Sequence, residues 1–226
     1  MSTAGSADRE LMTRALGLAA RGLYTTTPNP RVGCVIARGA DVLGEGWHER
    51  AGGPHAEVAA LEDARANGRD VRVVTCDLSF AAAAYAAKSL AGLDGASVVQ
   101  ADVLALPFRD RSFDVVMCSL FAHHFPTPVV ARFLVAMHGI SRRGVIVNDL
   151  HRHPLAYAGI WTLTRVFPAG PIVRNDGPLS VRRAFVRDDF DELERLTRLR
   201  FTVRWRWAFR WQVLIPRDAE AESVDA

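Results

Sequence analysis

Apolar residues recur along this chain in two rhythms, and the switch between them predicts the elements. Leu11, Ala15, Leu18 and Ala19 repeat at helical spacing after a small polar leader, Met1–Asp8, and predict a helix that stops near Gly22. Thr25–Pro30 reads as a loop from its prolines. Two short apolar runs, Val32–Ala37 and Asp41–Trp47, flank Gly39 and predict a hairpin. A helix follows from about His55 to Ala66, with Val58, Leu61 and Ala64 on one face, and Asn67-Gly68 ends it. Beyond it the rhythm gives strands at Val71–Cys76, Ala96–Gln100, Phe113–Cys118 and Gly144–Asn148, with helices at Phe80–Ala91 and Pro128–His138. That order argues an α/β fold with a parallel sheet. Pro154–Phe167 reads as an apolar helix, Gly170–Arg187 as an Arg-rich linker, and Asp188–Leu199 as a helix with Leu193 and Leu196 inward. Phe201, Val203, Trp205 and Trp207 alternate with polar residues before Phe209–Ile215, which predicts a closing antiparallel hairpin. Arg217–Ala226 reads as a polar tail.

Composition narrows the classes. The 226 residues, 49% apolar, suffice for one sizeable core or two small domains. The net charge of +3 is spread thinly: Lys88 is the only lysine, and the arginines are dispersed among acids with no basic block, so no nucleic-acid partner is expected. No apolar run suggests a signal peptide or membrane span. Cys34, Cys76 and Cys118 each lie in an apolar run and read as free buried thiols, which points to the cytoplasm.

The first candidate chemistry is Pro54-His55-Ala56-Glu57, an H-x-E at a helix start. Such a pair offers an imidazole ligand and a carboxylate proton shuttle, although a Glu favoured by the helix dipole explains it equally. Its surroundings are more specific. Thr27-Pro28-Asn29-Pro30-x-Val32-Gly33-Cys34-Val35-Ile36, Gly44-Glu45-Gly46-Trp47-His48 and Ala51–Val58 closely resemble the deaminase domain of the riboflavin-biosynthesis deaminase/reductase, over about Arg9–Ala66. The resemblance implies His55 as a zinc ligand, Glu57 as the proton shuttle, and Asn29 and His48 as substrate contacts. The family's P-C-x-x-C ligands are missing, however, and catalytic zinc needs three protein ligands plus water.

The second candidate lies downstream. Asp77 ends a strand before a helix, where an acid can hold ribose hydroxyls. The run Gln100–Val116, with Asp102, Leu106-Pro107-Phe108, Asp110 and Ser112-Phe113-Asp114, resembles class I S-adenosylmethionine-dependent methyltransferases, over about Val71–Ile215. That resemblance implies a three-layer αβα, Rossmann-like core with a mainly parallel sheet. It implies S-adenosylmethionine as cofactor, held by Asp77 and Leu78 at the ribose, Ala101, Asp102 and Val103 at the adenine, and Ser119 and Leu120 at the methionine side. His123 and His124 after one strand, and His151 after the next, are candidate bases for a hydroxyl acceptor, with ordinary loop histidines as the alternative. These histidines come from two separate loops, which argues against a metal there. Trp161, on the apolar helix, suits a wall against a flat phenolic, quinone or polyketide-like substrate, or else a core position.

Each resemblance is incomplete. The methyltransferase's first strand and G-x-G-x-G turn, which would lie before Val71, are replaced by deaminase-like sequence. Gly44-Glu45-Gly46 is a possible stand-in for that turn, and one of Val32–Ala37 or Asp41–Gly46 is expected to fill the missing strand's place beside Val71–Cys76. The expected organisation is a truncated deaminase-like segment over 1–69, a methyltransferase-like domain over 70–216 and the tail. Three readings stay open: a methyltransferase of small hydroxylated molecules, a truncated zinc deaminase of an aminopyrimidine, and a catalytically silent fusion.

Overall fold

The computed structural model describes residues 4–26, 31–38, 40–166 and 170–217. It divides into two compact units, Met1–Gln100 and Ala101–Ala226.

The first unit begins with α1 (Ala4–Arg21), β1 (Gly33–Arg38), β2 (Asp41–Trp47) and α2 (Ala56–Ala66). The helix thus starts inside the stretch expected to be a polar leader. β1 and β2 form the predicted antiparallel hairpin, Gly33 opposite Trp47, with a register shift at Ile36/Ala37. The proposed turn residue Gly39 lies outside the described residues. The fit between hairpin and α2 rests on Gly44 and Gly46. A Cβ on Gly44 would come within 2.3 Å of the Ala60 carbonyl oxygen, and one on Gly46 within 2.4 Å of the Ala60 nitrogen. Two glycines on alternate positions of one strand therefore let the Ala56, Ala60 and Ala64 face of α2 lie directly on the sheet.

The unit ends with β3 (Val73–Asp77), α3 (Phe80–Ser89) and β4 (Ala96–Gln100). β3 and β4 pair in parallel, Val73 opposite Ala96 through Asp77 opposite Gln100. They make a two-stranded sheet of their own, and the hairpin makes another. The expectation that β1 or β2 fills the missing strand's place is therefore wrong. β1 and β2 pair only with each other and lay their faces on α1 and α2, and neither pairs with β3 among the described residues.

The second unit contains β5 (Phe113–Ser119), a 3-10 turn (Ala122–His124), α4 (Thr127–Ile140), β6 (Ser141–Leu150), α5 (Pro154–Val166), α6 (Pro171–Arg183), α7 (Arg187–Thr197), β7 (Thr202–Arg206) and β8 (Arg210–Pro216). Its sheet has the order β5-β6-β8-β7. β5 and β6 are parallel, and β8 is antiparallel to both β6 and β7, so the predicted closing hairpin is present. The fold class is α/β with mixed parallel and antiparallel pairings.

The core of this unit follows from two periodicities meeting. α4 carries Val130, Phe133, Leu134, Met137 and Ile140 on one face, all nearly or fully buried. β6 and β8 present Val145, Val147, Val213 and Ile215 at alternate positions, and α7 adds Phe190 and Leu193. Each such side chain contributes roughly 1.5–3 kcal/mol by leaving water.

Several local expectations change. The linker over Gly170–Arg187 is mostly α6: Pro171 occupies the first helical turn, where its missing N–H costs nothing, and the helix also accommodates Pro178. Leu196 is 50% exposed, unlike Leu193, so α7 buries a narrower stripe than expected. Trp207 is in the turn after β7 and exposed, not inside a half-buried strand. Cys76 is exposed on β3, so it is no buried thiol, whereas Cys34 and Cys118 are half-buried. No helix among the described residues is long and apolar enough to cross a membrane.

Candidate functional site

In the first unit, His48 is 3% exposed and donates from Nδ1 to the Pro54 carbonyl at 2.8 Å. Its ring lies 5.4 Å from that of His55, which precedes α2 as its N-cap residue. Glu57 is in the first turn, where the helix dipole favours an acid. Burial, and then Glu57, push the Cys34 thiol up to about 11, so Cys34 stays protonated. These residues are grouped, but not as a metal centre: among the described residues no three His, Cys, Asp or Glu side chains converge on a common point. A catalytic zinc needs three. The donor set does not fit the ion, and no deamination step is derived. Asn29 lies outside the described residues.

Asp77 ends β3 as predicted. Its Oδ1 accepts from the Ser79 amide at 2.8 Å, and Ser79 Oγ accepts from Ala82 N at 3.4 Å to cap α3. Leu78 is exposed, and its carbonyl accepts from Gln100 Nε2 at 3.1 Å. The strand end is thus tied down by short-range hydrogen bonds, with its carboxylate at the carboxyl edge of a parallel pair. Gly44-Glu45-Gly46 does not supply the missing turn. It lies inside β2, packed on α2, where its glycines meet helix backbone and have no approach to a ligand. A cavity of about 290 Å³, lined by Ala87, Leu90, Gly92, Asp94 and Ala96, lies at the opposite, amino end of β4 and does not include Asp77.

In the second unit, Ala101, Asp102 and Val103 are half-buried, and Asp102 Oδ1 accepts from Leu104 N at 2.9 Å. At the carboxyl end of β5, Ser119 Oγ accepts from Asn148 Nδ2 at 3.3 Å. Leu120 adopts φ 54°, a left-handed conformation that costs a non-glycine residue about 1–2 kcal/mol, and its amide donates to the Asn148 carbonyl at 2.8 Å.

His123 is the centre of the next turn. Its Nδ1 lies 2.6 Å from Asp149 Oδ1, with the two side chains 3% and 0% exposed. Asp149 also accepts from the His123 amide at 3.3 Å and the Leu150 amide at 2.7 Å. The far nitrogen, Nε2, is buried without a hydrogen-bond partner. Burial, and then Asp149, push the Cys118 thiol up to about 12, so Cys118 is neutral beside this pair. His124 is exposed with its ring 4.1 Å from that of His123. Partial desolvation, and then His123, lower its pKa, and Asp149, Arg183 and Asp176 also act on it.

His151 is in a different cluster. Trp205 Nε1 donates to its Nδ1 at 3.2 Å, and its ring lies 5.3 Å from His153 and 4.8 Å from Trp211. Desolvation, and then His153, lower its pKa. Trp161 is 44% exposed on α5, with the Arg165 guanidinium 4.0 Å over its ring. Asp149 was not among the expected site residues. The signal was present: it is an acid at the end of an apolar strand, as Asp77 is, two residues before His151.

Comparison with known proteins accords with both resemblances. A methyltransferase domain family matches residues 52–147, and the cytidine and deoxycytidylate deaminase zinc-binding region matches residues 6–84. The two matches overlap over residues 52–84, from just before α2 into the first half of α3, so the chain carries deaminase-like sequence leading into methyltransferase-like sequence.

Among individual relatives, the riboflavin biosynthesis protein RibD of Haemophilus influenzae is 55% identical over 64 residues, 28% of this chain and 17% of that protein. RibD of Escherichia coli is 61% identical over 54 residues, 24% of this chain and 15% of that protein. The chain therefore spans less than a fifth of these relatives' length. Among solved structures, a SAM-dependent methyltransferase from Aquifex aeolicus overlays with a TM-score of 0.48 at 13% identity, covering 64% of this chain and 68% of that one. The deaminase/reductase from Thermotoga maritima overlays with a TM-score of 0.29 at 40% identity, covering 31% of this chain and 22% of that one.

Proposed function

We propose that this chain transfers a methyl group from S-adenosylmethionine to a small hydroxylated acceptor of phenolic, quinone or polyketide-like type. The observation that carries the reading is the methyltransferase-domain match over residues 52–147, which includes both strand-end acids and the His123–His124 turn. When bound, the cofactor supplies an electrophilic methyl on a sulfonium sulfur. Asp77, with Leu78 beside it, takes the ribose hydroxyls. Asp102 takes the adenine amino group, with the Ala101–Val103 backbone along the ring. Ser119 and Leu120 border the methionine side, and the strained Leu120 is the kind of backbone position that clusters at ligand sites. His123, His124 and His151 are the candidate proton acceptors, and Trp161 is a candidate acceptor wall.

What supports the adenosine half is local to each acid: Asp77 and Asp102 each accept a backbone amide in a short turn after a strand. The methionine half lacks the glycine turn, since Gly44 and Gly46 serve α2. Losing two or three backbone hydrogen bonds at about 1 kcal/mol each weakens cofactor affinity roughly 30- to 150-fold. Isothermal titration with S-adenosylmethionine is the test. Weak heat that disappears in Asp102→Ala is expected, and no heat at millimolar cofactor overturns the proposal.

The N-terminal segment has the lineage of the aminopyrimidine deaminases but no third zinc ligand among the described residues, so deamination at Glu57 is not proposed. The division near residues 69 and 70 is then one of ancestry, and the cytoplasm is the compartment we assign, from the half-buried, protonated thiols of Cys34 and Cys118.

A further inference from the structure

The charge imbalance of this chain sits on one pair of helices. α5 and α6 carry Arg165, Arg174, Arg182 and Arg183 against the single acid Asp176. Setting these four and one apart from the chain's 28 basic and 25 acidic residues leaves 24 of each, so the net +3 belongs to this pair. All four arginines are exposed. Nearby, Arg152 and Arg187 are paired with Asp189 and Asp191, whereas Arg182 and Arg183 have no ion pair among the described residues. The two flank Leu179, at i+3 and i+4, and Leu179 is itself 39% exposed. α5 adds the apolar part. It carries no acid, Thr164 is its only buried residue, and Leu155, Leu163 and Val166 are 66%, 53% and 69% exposed. Spaced at i, i+8 and i+11, these three lie within about 80° of one another around the helix. They point away from the side on which Ile160 and Thr164 meet Gly177 of α6. Trp161, on the same solvent-facing arc, holds the Arg165 guanidinium over its ring.

We propose that α5 and α6 form a docking surface for an anionic lipid bilayer. Leu155, Leu163 and Val166 enter the boundary of the acyl chains, and Arg182 and Arg183 meet lipid phosphates. Exposed aliphatic side chains beside unpaired cations call for a partner that is apolar and negatively charged at once, which is the chemistry of such a bilayer face. A nucleic acid would engage the arginines and leave the aliphatic side chains in water. A second copy of this chain would bring the same positive charge against itself. Lipid satisfies both demands. At 1.5 Å per residue, the 13 residues of α5 extend about 20 Å, short of the roughly 20 residues that a hydrocarbon core requires, so the helix lies along the interface. Trp161 with Arg165 suits the headgroup level, where amphipathic aromatic rings collect. The docking stands apart from the methyl-transfer reading and requires no cofactor.

Co-sedimentation of the full chain with vesicles tests this. At low salt the chain should pellet with vesicles of mixed phosphatidylcholine and phosphatidylglycerol, and stay in the supernatant with phosphatidylcholine alone. Arg182→Ala combined with Arg183→Ala should weaken binding roughly 30-fold, at about fivefold per arginine. Leu163→Glu should weaken it at least as much, because it removes apolar burial and adds a charge of the lipid's own sign. All three positions are exposed, so urea-unfolding midpoints should match the wild type. Should Leu163→Glu unfold, Val166→Glu on the same side of α5 replaces it. Phosphatidylglycerol brominated on its acyl chains should quench tryptophan fluorescence in the wild type and less in Trp161→Phe. Equal binding to neutral and anionic vesicles, or none to either, overturns the proposal. So does vesicle binding that survives Leu163→Glu, which would leave a site for polyanions in general. A dimer without lipid, seen by light scattering and dissociated by Leu163→Glu, also overturns it, because the apolar side would then belong to a second copy.

Discussion

The β3–α3–β4 segment and the β6–α4–β8 core have the same kinds of elements but very different burial. In the core, Phe133, Leu193 and Ile215 are almost wholly enclosed. In β3–α3–β4 only Ala83 of the helix is buried, while Leu78, Phe80 and Tyr85 are 64%, 73% and 75% exposed and β3 pairs with β4 alone. A parallel pair is normally covered on both faces and flanked by further strands. The contrast locates what the missing first strand and its helix would have provided. The downstream strands kept their own partners, β8 and β7, and the upstream pair did not. Chemistry follows the same division: the His123–Asp149 pair is beside the well-packed core, and Asp77 is on the sparsely packed β3–α3–β4 segment.

The sharpest way to break this comparison is by truncation. Phe133→Ala should cost about 3–5 kcal/mol in urea unfolding, through lost burial and the cavity left behind. Tyr85→Ala should stay within about 0.5 kcal/mol, as for other exposed sites. Equal losses would refute the contrast. Next in size, Gly46→Val should destabilise the hairpin–α2 packing by about 1–3 kcal/mol, because its side chain would meet the Ala60 and Ala56 backbone. A neutral outcome would mean that the G-x-G has the freedom a ligand turn needs. Leu120→Gly should stabilise the second unit by about 1 kcal/mol, by relieving the left-handed residue, while weakening cofactor binding. A stability loss instead would show that the Leu120 side chain, and not its backbone, holds the strand end.

The smallest effect concerns pH. His124 and His151 have folded-state pKa values below their ordinary one, so the unfolded chain binds more protons in the window between. Stability should therefore be constant above the unfolded value near 6.5 and fall as pH drops through the window. The fall should diminish in His124→Gln. Both rings are partly solvated, so the slope should be shallow.

Sequence periodicity revealed the elements that make their own cores. α4 and β6 were legible because their apolar residues follow 3.6 and 2.0 spacing closely. α6 was not, since Gly177-Pro178 is a breaker pair by composition; Gly177 instead lets α6 approach Ile160 of α5, where a Cβ would come within 3.0 Å. The separate sheets were illegible too, because strand patterns say which residues are apolar and nothing about which edge finds a partner. In the site, Asp77, Asp102 and the histidines were readable as strand-end chemistry. Asp149 could not be assigned from sequence, because its meaning comes from a contact 26 positions away. Cys76 misled for the opposite reason: its apolar neighbours suggested burial, whereas Val74 and Cys76 share the exposed face of β3.

The most direct test of the account is amide hydrogen exchange with and without S-adenosylmethionine. Without cofactor, β6 and β8 should exchange only through global unfolding, and β3 and β4 through local opening. With millimolar cofactor, protection should rise at Asp77–Ser79 and at Asp102–Leu104 and hardly at all along β1 and β2. Protection that is unchanged at both acids, or that rises on the β1–β2 hairpin instead, would contradict the assignment of this chain as a methyltransferase-like protein.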